Sequence, residues 1–197
     1  MLEPKAPKTV CGIDEAGRGP LAGPVTAAAV VLPTSFPTHV LGDSKTLSET
    51  RRRRVEQMLH DYETPFALGW AWPAEIDALN IHNAALLAMS RAWESVAPRV
   101  AEAIDRVIVD GRFCPPLSVP CVARPKADGD VPAVMAASIL AKNARDRLMV
   151  RYAEEDARYG FERHKGYPTA AHRAALRLHG PGPIHRRSFR GVTIYSD

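Results

Sequence analysis

The sequence predicts an α/β fold with a mixed central sheet flanked by helices. Two short apolar segments near the start, residues 9–15 and 24–32, are separated by a glycine-rich turn, which is typical of an antiparallel hairpin. Short apolar segments then alternate with longer helical ones, as expected for strands covered by helices. A length of 197 residues fits one domain, or a domain with a short helical appendage.

The later elements follow from helix-capping residues and apolar runs. Ser48 is a good N-cap for a helix that reaches about residue 62. Prolines favour the first turn of a helix, so we expect helices over residues 73–96, with a break at Asn80, and 132–159. The remaining predicted elements are strands at 65–72, 107–110 and 119–124, and a helix over 169–178 that ends at a glycine.

Charge divides the chain into an acidic body and a basic C-terminal part. The formal net charge is +4, yet residues 142–197 carry 12 Lys and Arg against 6 Asp and Glu. A basic surface beside clustered carboxylates suits a metal-dependent nuclease, because cations hold phosphates and carboxylates hold metal. The same bias would also arise from a solvated helical face, so charge alone leaves both interpretations open.

Other features argue against whole classes of protein. No apolar run approaches the roughly 18 residues of a membrane-spanning helix, and the N-terminus lacks the apolar segment of a secretory signal. Cys11, Cys114 and Cys121 form no CxxC pair, which argues against a zinc site or a disulfide scaffold. We therefore expect a cytoplasmic protein, monomeric by default, in which residues 1–8 are flexible.

Carboxylates recur where apolar strands end. Asp14 and Glu15 follow the first strand, Asp110 ends the run VIVD, and Asp128 lies in the loop KADGD before the long helix. Neighbouring strands lie about 4.8 Å apart, so a sheet would hold such acids together. Packed carboxylates need a cation, and oxygen ligands favour Mg²⁺ or Mn²⁺. Each acid taken singly could instead be a turn residue.

The glycine-rich segment 17–23 admits two interpretations. Its spacing, GxGxxxG, is close to that of a dinucleotide-binding loop. However, Pro20 and the apolar strand after Pro24 leave no helix N-terminus for a pyrophosphate, and Asp14 and Glu15 would repel one. We favour close approach of the glycine backbone to another ligand.

Several segments taken together resemble the type 2 ribonucleases H, specifically the bacterial ribonuclease HII family. They occur in the family order and cover nearly the whole chain: GIDEAGRGPLAGPVTAAAV (12–30), GDSKTLS (42–48), VIVDG (107–111), VPAVMAASILAK (131–142), HKGYPT (164–169) and HRRSF (185–189). The resemblance implies a single ribonuclease H-like domain, with a mixed central sheet flanked by helices and a helical C-terminal extension from about residue 142.

The resemblance also implies an activity. It predicts an endonuclease that cleaves the RNA strand of RNA–DNA hybrids and the 5′ side of single ribonucleotides embedded in duplex DNA. Two Mg²⁺ or Mn²⁺ ions would assist the hydrolysis, which leaves 3′-hydroxyl and 5′-phosphate ends. Such an enzyme would serve ribonucleotide excision repair and DNA replication.

Carried over residue by residue, the resemblance assigns catalytic and metal-binding roles to four acids, Asp14, Glu15, Asp110 and Asp128. It assigns recognition of the ribose 2′-hydroxyl, the group that distinguishes RNA from DNA, to Gly17, Arg18, Gly19 and Tyr167. Candidate phosphate contacts, each of which could also be a plain surface residue, are Ser44, Lys45, Lys142, Arg145, Arg186 and Arg187.

The chain departs from the family pattern at a few positions. Asp130 stands where the pattern has no acid, so the fourth catalytic acid is expected at Asp128. Thr46 and His82 are further departures away from the expected chemistry. We interpret the four consecutive arginines 51–54 as a solvated helix face, and the scattered histidines as structural or exposed.

Two other classes of function stay open on the sequence. One is a nucleic-acid-binding module that retains the fold without catalysis, although buried carboxylates without metal are costly. The other is a nucleotide-cofactor enzyme built on the glycine-rich segment. The C-terminal residues VTIYSD lack the glutamine and paired aromatics of a clamp-binding peptide, so no sliding-clamp partner is expected.

Overall fold

The computed structural model describes residues 9–44 and 46–194 of the chain. The lead-in at residues 1–8 and Lys45, a candidate phosphate contact, lie outside the described residues, as do residues 195–197. Among the described residues, no helix combines the length and apolar character needed to cross a membrane.

The centre of the fold is a five-stranded mixed sheet in the order β3-β2-β1-β4-β5. Its strands are β1 (Thr9–Ala16), β2 (Val25–Val31), β3 (Phe66–Ala71), β4 (Ile104–Asp110) and β5 (Cys121–Arg124). β1, β2 and β3 form antiparallel pairs, whereas β4 runs parallel to both β1 and β5. The predicted mixed sheet and its opening hairpin are confirmed.

Helices cover both faces of this sheet. They are α1 (Glu49–Asp61), α2 (Pro73–Val100), α3 (Pro132–Glu155), α4 (Phe161–His164), α5 (Ala170–His179) and α6 (Arg190–Thr193). All residues of β2 are buried, and their side chains alternate: Val25, Ala27 and Ala29 pack in the cluster with α2, while Ala28 and Val30 pack with α1 and α3. A sheet covered on both faces needs such continuously apolar strands.

The helix boundaries follow from local hydrogen bonds. Ser48 caps α1 as expected, because its side chain accepts a hydrogen bond from the N–H of Arg51. The predicted break in α2 is confirmed: Asn80 has φ of 67°, and its Oδ1 accepts hydrogen bonds from the N–H groups of His82 and Asn83.

The long helix α3 is shorter than the sequence predicts. It ends at Glu155 rather than near residue 159, because Asp156 adopts an extended conformation (φ −144°, ψ 92°). The Asp156 side chain then accepts a hydrogen bond from the N–H of Arg158 and starts a short 3₁₀ turn.

Gly12 sets the distance between α3 and the sheet. A Cβ atom at this position would lie 2.2 Å from the backbone carbon of Ala133, in the first turn of α3. Only glycine therefore allows this contact. The close approach places α3 directly beside the end of β1, where the predicted catalytic acids begin.

Candidate active site

The parallel pairing of β1 with β4 brings the predicted acids to one edge and one face of the sheet. Ile13 is paired with Val109, and both side chains are buried in the cluster under α2. Side chains alternate along a strand, so the next residues, Asp14 and Asp110, point to the opposite face, beside α3. One carboxylate oxygen from each of Asp14, Asp110 and Asp128 lies within 4.8 Å of the others.

The loop before α3 brings Asp128, rather than Asp130, into the cluster of acids. The N–H of Ala127 donates a hydrogen bond of 2.8 Å to Oδ1 of Asp110, which ties the loop to the end of β4. Asp128 then joins the acid cluster, whereas the exposed Asp130 forms an ion pair with Arg124 on the outside of the loop. The geometry thus favours the register expected from the family pattern.

Asp14 lies at the buried centre of the cluster, with 4% of its surface exposed. Burial raises the pKa of Asp14 well above its usual range, and the charges of Glu15 and Asp110 raise it further. A hydrogen bond with the Ser138 hydroxyl of α3 opposes this shift. Such a carboxylate is costly unless a cation balances it.

Glu15 supplies a carboxylate oxygen without a partner. Its Oε1 lies 3.3 Å from Nη1 of Arg18, while Oε2 is buried and accepts no hydrogen bond within the described residues. Burial raises the pKa of Glu15, and Arg18 partly offsets the effect. Glu15 is not part of the cluster within 4.8 Å, but it lines the same cleft as Asp14 and Asp110, and a buried carboxylate oxygen with no donor among the described residues fits a ligand for a hard cation such as Mg²⁺ or Mn²⁺.

The acids open into a cleft of about 230 Å³ that also contains the predicted recognition residues. Its lining consists of Asp14, Glu15, Ala16, Gly17, Arg18, Gly19, Ser44, Asp110, Ser138, Lys142 and Tyr167. The Tyr167 ring, 42% exposed, stands beside the turn, since a Cβ atom on Gly19 would lie 3.6 Å from its Cε1. The structure thus brings the glycine turn, Tyr167 and three of the four acids into one cleft.

The assignment of Arg145 and Arg186 as phosphate contacts is wrong. Their exposed fractions are 1% and 0%, so neither guanidinium can reach a ligand at the surface. Instead, all three nitrogens of each guanidinium donate hydrogen bonds to backbone carbonyl oxygens. Burial lowers the pKa of Arg145 to about 10 and that of Arg186 to about 9.

These two arginines build the glycine turn. Arg145 donates bonds of 2.9 Å to the carbonyl oxygens of Ala22, Pro24 and Lys165. Arg186 donates bonds of 2.6–2.9 Å to those of Gly17, Arg18 and Gly23. Gly17 itself has φ of 97°, and a Cβ atom there would lie 2.1 Å from Nε of Arg145. The turn is therefore shaped by side chains from distant parts of the chain.

The other candidate phosphate contacts differ in their surroundings. The hydroxyl groups of Ser44 and Ser138 lie 2.8 Å apart at the floor of the cleft. Nζ of Lys142 lies 2.6 Å from both carboxylate oxygens of Asp146, at the cleft wall. Arg187 is exposed, and its backbone N–H donates to Asp77. Ser44 and Lys142 are thus the phosphate candidates that lie in the cleft itself.

Arg52 supports the cleft from behind its lining residues, which the sequence interpretation misses. We expected all of residues 51–54 to be solvated, but Arg52 is buried while its three neighbours are exposed. Its Nη1 donates to the carbonyl oxygens of Ser44 and Leu47, and its Nη2 pairs with Asp146. Arg52 therefore holds the loop that carries Ser44. The sequence does contain a pattern that predicts this burial, because Arg52, Val55 and Leu59 follow the i, i+3, i+7 spacing of a buried helix face.

Three histidines also meet in the C-terminal part of the chain instead of being scattered. His164 and His172 stack with ring centroids 4.6 Å apart, and Nε2 of His172 lies 3.0 Å from Nε2 of His185. His164 and His172 form hydrogen bonds with the backbone of the loop that carries Tyr167. Their spacing along the chain gave no sign of this contact.

Comparisons with known proteins point to one family, and the matches cover nearly the whole chain. The family model described as Ribonuclease HII matches residues 11–192. Proteins named Ribonuclease HII from Dechloromonas aromatica and Treponema denticola are each 50% identical to this chain. They cover 93% and 91% of it, and the matches span 91% and 97% of their own lengths.

Solved structures share the fold. The ribonuclease H2 of Pyrococcus horikoshii superposes with a TM-score of 0.79 at 24% identity, over 95% of this chain and 96% of its own. A chain of the PCNA:RNase HII complex from Archaeoglobus fulgidus gives 0.68 at 25% identity, over 90% and 92%. A Bst-RNase HIII structure with Mn²⁺ gives 0.75 at 17% identity, over 94% and 68%.

Proposed function

The chain belongs to the ribonuclease HII family of nucleic-acid hydrolases, which have ribonuclease H endonuclease activity, and we propose which bonds this one cleaves. Its substrates are the RNA strand of RNA–DNA hybrids and single ribonucleotides in duplex DNA, cut on their 5′ side. The observation that carries this proposal is the shared cleft, where Asp14, Glu15 and Asp110 lie beside the glycine turn and Tyr167.

The acid cluster would hold the divalent ions. Asp14, Asp110 and Asp128 offer oxygens within 4.8 Å of one another, and Glu15 adds its Oε2, which has no hydrogen-bond partner in the part of the chain that the structure describes. Mg²⁺ or Mn²⁺ bound there would favour ionisation of a water nucleophile and balance the charge on the leaving oxygen. The protein's own contribution is orientation: Ser138 fixes Asp14, and the N–H of Ala127 fixes Asp110.

The glycine turn presents donors to the substrate. Arg186 already occupies the carbonyl oxygens of Gly17 and Arg18. Within the described residues, the N–H groups of Arg18 and Gly19 donate to no other protein group. They are therefore available to a ribose 2′-hydroxyl, with the Tyr167 hydroxyl as a second contact and its ring stacked on the next sugar. Ser44, Lys142 and Arg187 are the phosphate contacts in this proposal.

The alternatives have less support. The glycine-rich segment leads into β2 rather than into a helix, so it offers no helix N-terminus for a pyrophosphate. A binding module without catalysis would not need a buried carboxylate oxygen that lacks a donor at Glu15.

We place the enzyme in ribonucleotide excision repair and DNA replication, in the reducing cytoplasm where its free cysteines would persist.

A cleavage assay tests the proposal. Three duplexes of equal length are compared: all-DNA, DNA with one embedded ribonucleotide, and an RNA–DNA hybrid, each with Mg²⁺, Mn²⁺ or a chelator. We expect cleavage of the second and third duplexes only with metal, leaving a 3′-hydroxyl end on the 5′ side of the ribonucleotide. Equal cleavage of all-DNA duplex, or none of the ribonucleotide-containing duplexes, would contradict it.

A further inference from the structure

The C-terminal part contains a buried pair of histidines that the proposed chemistry does not use. His172 and His185 are 0% and 2% exposed, and their Nε2 atoms lie 3.0 Å apart. At this distance the two nitrogens share a hydrogen bond, which needs one proton between them. One ring must donate and the other must accept.

Neighbouring backbone groups decide which ring donates. Nδ1 of His172 lies 3.0 Å from the carbonyl oxygen of Tyr167, and a carbonyl oxygen only accepts. The proton of neutral His172 is therefore on Nδ1, and its Nε2 is the acceptor.

His185 must then carry its proton on Nε2. Its Nδ1 accepts a hydrogen bond of 2.9 Å from the N–H of Gly182, which agrees with this tautomer. The longer contact of 3.3 Å between Nδ1 and the Gly182 carbonyl would require the other tautomer and would leave no proton between the two Nε2 atoms. The contacts thus define one chain of donors from Gly182 through both rings to Tyr167.

The surroundings keep both rings neutral. Burial lowers the pKa of His172 and of His185 to about 4. His164 faces His172, and Asp156 and Arg187 are the charged groups that act on His185. A further proton on Nε2 of His172 would face the N–H of His185 across 3.0 Å, and one on Nδ1 of His185 would face the N–H of Gly182 across 2.9 Å.

His164 secures the other side of the same loop. Its Nε2 lies 2.8 Å from the carbonyl oxygen of Tyr159 and so donates, while its Nδ1 accepts from the N–H of Gly166. His164 therefore holds the N–H of Gly166, just before Tyr167, and His172 holds the carbonyl group of Tyr167 itself. The ring of Tyr167 projects into the cleft from this doubly anchored segment.

We propose that His172 and His185 are positioning residues for ribonucleotide recognition: they fix the carbonyl of Tyr167, and with it the placement of the Tyr167 ring beside Gly19. The proposal rests on the recognition role proposed for Tyr167. Neither histidine lines the cleft, so they act on substrate only through that residue.

Two substitutions of His172 separate its two hydrogen bonds. The amide nitrogen of an asparagine can replace Nδ1 and still donate to Tyr167, whereas the amide of a glutamine replaces Nε2 and loses that donor. We expect His172→Gln to lower kcat/KM on a duplex with one ribonucleotide by about tenfold, the effect of one lost hydrogen bond, and His172→Asn to restore most of it. His179→Gln, exposed on the same helix, is the control and should match the wild type.

A double-mutant cycle distinguishes positioning from general stability. If His172 acts through Tyr167, then His172→Gln should cause little further loss in a Tyr167→Ala background. Equal fold-losses in both backgrounds would overturn the proposal, since a merely structural role would weaken either enzyme alike.

Imidazole ¹⁵N chemical shifts of the intact wild-type protein test the hydrogen-bond chain without any variant. We expect the Nδ1–H tautomer for His172 and the Nε2–H tautomer for His185 at neutral pH. The reverse assignment, or a cationic ring, would overturn the proposed pair. If instead these tautomers are found but Tyr167→Ala cleaves normally, the recognition role of Tyr167 has failed and the positioning role falls with it.

Discussion

The carbonyl oxygen of Gly17 accepts a hydrogen bond of 2.6 Å from Nη2 of Arg186, a residue 169 positions further along the chain. Gly17 belongs to the turn that lines the cleft, and Arg186 is buried in the C-terminal part. The shape of this turn therefore depends on a buried residue that does not line the cleft.

Arg186→Lys should destabilise the protein although it keeps the charge. A lysine ammonium cannot bridge three carbonyl groups that a planar guanidinium spans, so at least one buried acceptor loses its donor. We expect a loss of about 3 kcal/mol in the free energy of unfolding, measured with urea. Arg190→Lys, at an exposed position, is the control. An equally small effect of both substitutions would show that the three hydrogen bonds of Arg186 do not stabilise the fold.

Asp110→Asn should abolish cleavage while duplex binding persists. Asparagine keeps the shape of the side chain but lacks the charge that makes a carboxylate a strong ligand for a hard cation. The measurement pairs a cleavage rate at saturating Mg²⁺ or Mn²⁺ with a binding isotherm. Asp105→Asn, exposed on the same strand, should cleave normally. Robust cleavage by Asp110→Asn would remove this residue from the metal site.

Asp128→Asn and Asp130→Asn should differ strongly in their effect on rate. Asp128 lies in the acid cluster, whereas Asp130 pairs with Arg124 outside it. We expect Asp128→Asn to lower the cleavage rate by several orders of magnitude and Asp130→Asn to change it little, as typical of an exposed ion pair. A larger loss for Asp130→Asn would show that the other acid serves the reaction.

Tyr167→Ala should slow cleavage of a duplex with one embedded ribonucleotide without changing how binding depends on salt. Sites that hydrogen-bond a hydroxyl can reject analogues lacking it by roughly 10⁴-fold, while phosphate contacts supply most of the non-specific affinity. Rate and salt dependence are measured together on that substrate. An unchanged rate would leave the glycine turn as the remaining candidate reader of the 2′-hydroxyl.

The stability contributed by His172 and His185 should fall as the pH drops from 6.5 towards 4, whereas the raised pKa values of Asp14 and Glu15 act in the opposite direction. The folded-state pKa values of His172 and His185 are lowered to about 4, so between these pH values the unfolded chain binds more protons at these two residues than the folded one. Each histidine should lower the free energy of unfolding by up to about 2 kcal/mol at pH 5. Urea unfolding from pH 7.5 to 5 should show a smaller pH slope for His172→Asn than for the wild type, and identical slopes would argue against the assignment.

The features that could be predicted from the sequence have local causes. The helix boundaries depend on contacts within a few residues, as at Ser48, Asn80 and Pro132. The acids at the ends of β1 and β4 could be expected at one edge because apolar runs reveal strands and parallel strands end together. Asp156 is the exception, since the length of α3 depends on whether one residue becomes helical or caps the next turn.

The features that could not be predicted depend on distant partners. Arg145 and Arg186 are cations in a basic region, and their charge alone suggested phosphate contacts; only the fold shows that carbonyl groups more than 120 positions away enclose Arg145. The same holds for His172 and His185, whose pairing arises because α5 and the following loop bring both rings into one apolar cluster. Residue type and spacing carry no signal for such contacts.

The central place of β1 in the sheet bears on how the chain is made by the ribosome. β1 pairs on one side with β2, which follows at once, but on the other side with β4, which begins at Ile104. A nascent chain therefore carries Asp14 and Glu15 beside an open strand edge until Asp110 and Asp128 have been synthesised. Pairings between such distant segments form late in folding. A chain that ends before β4 therefore lacks Asp110 and Asp128 and cannot form the acid cluster.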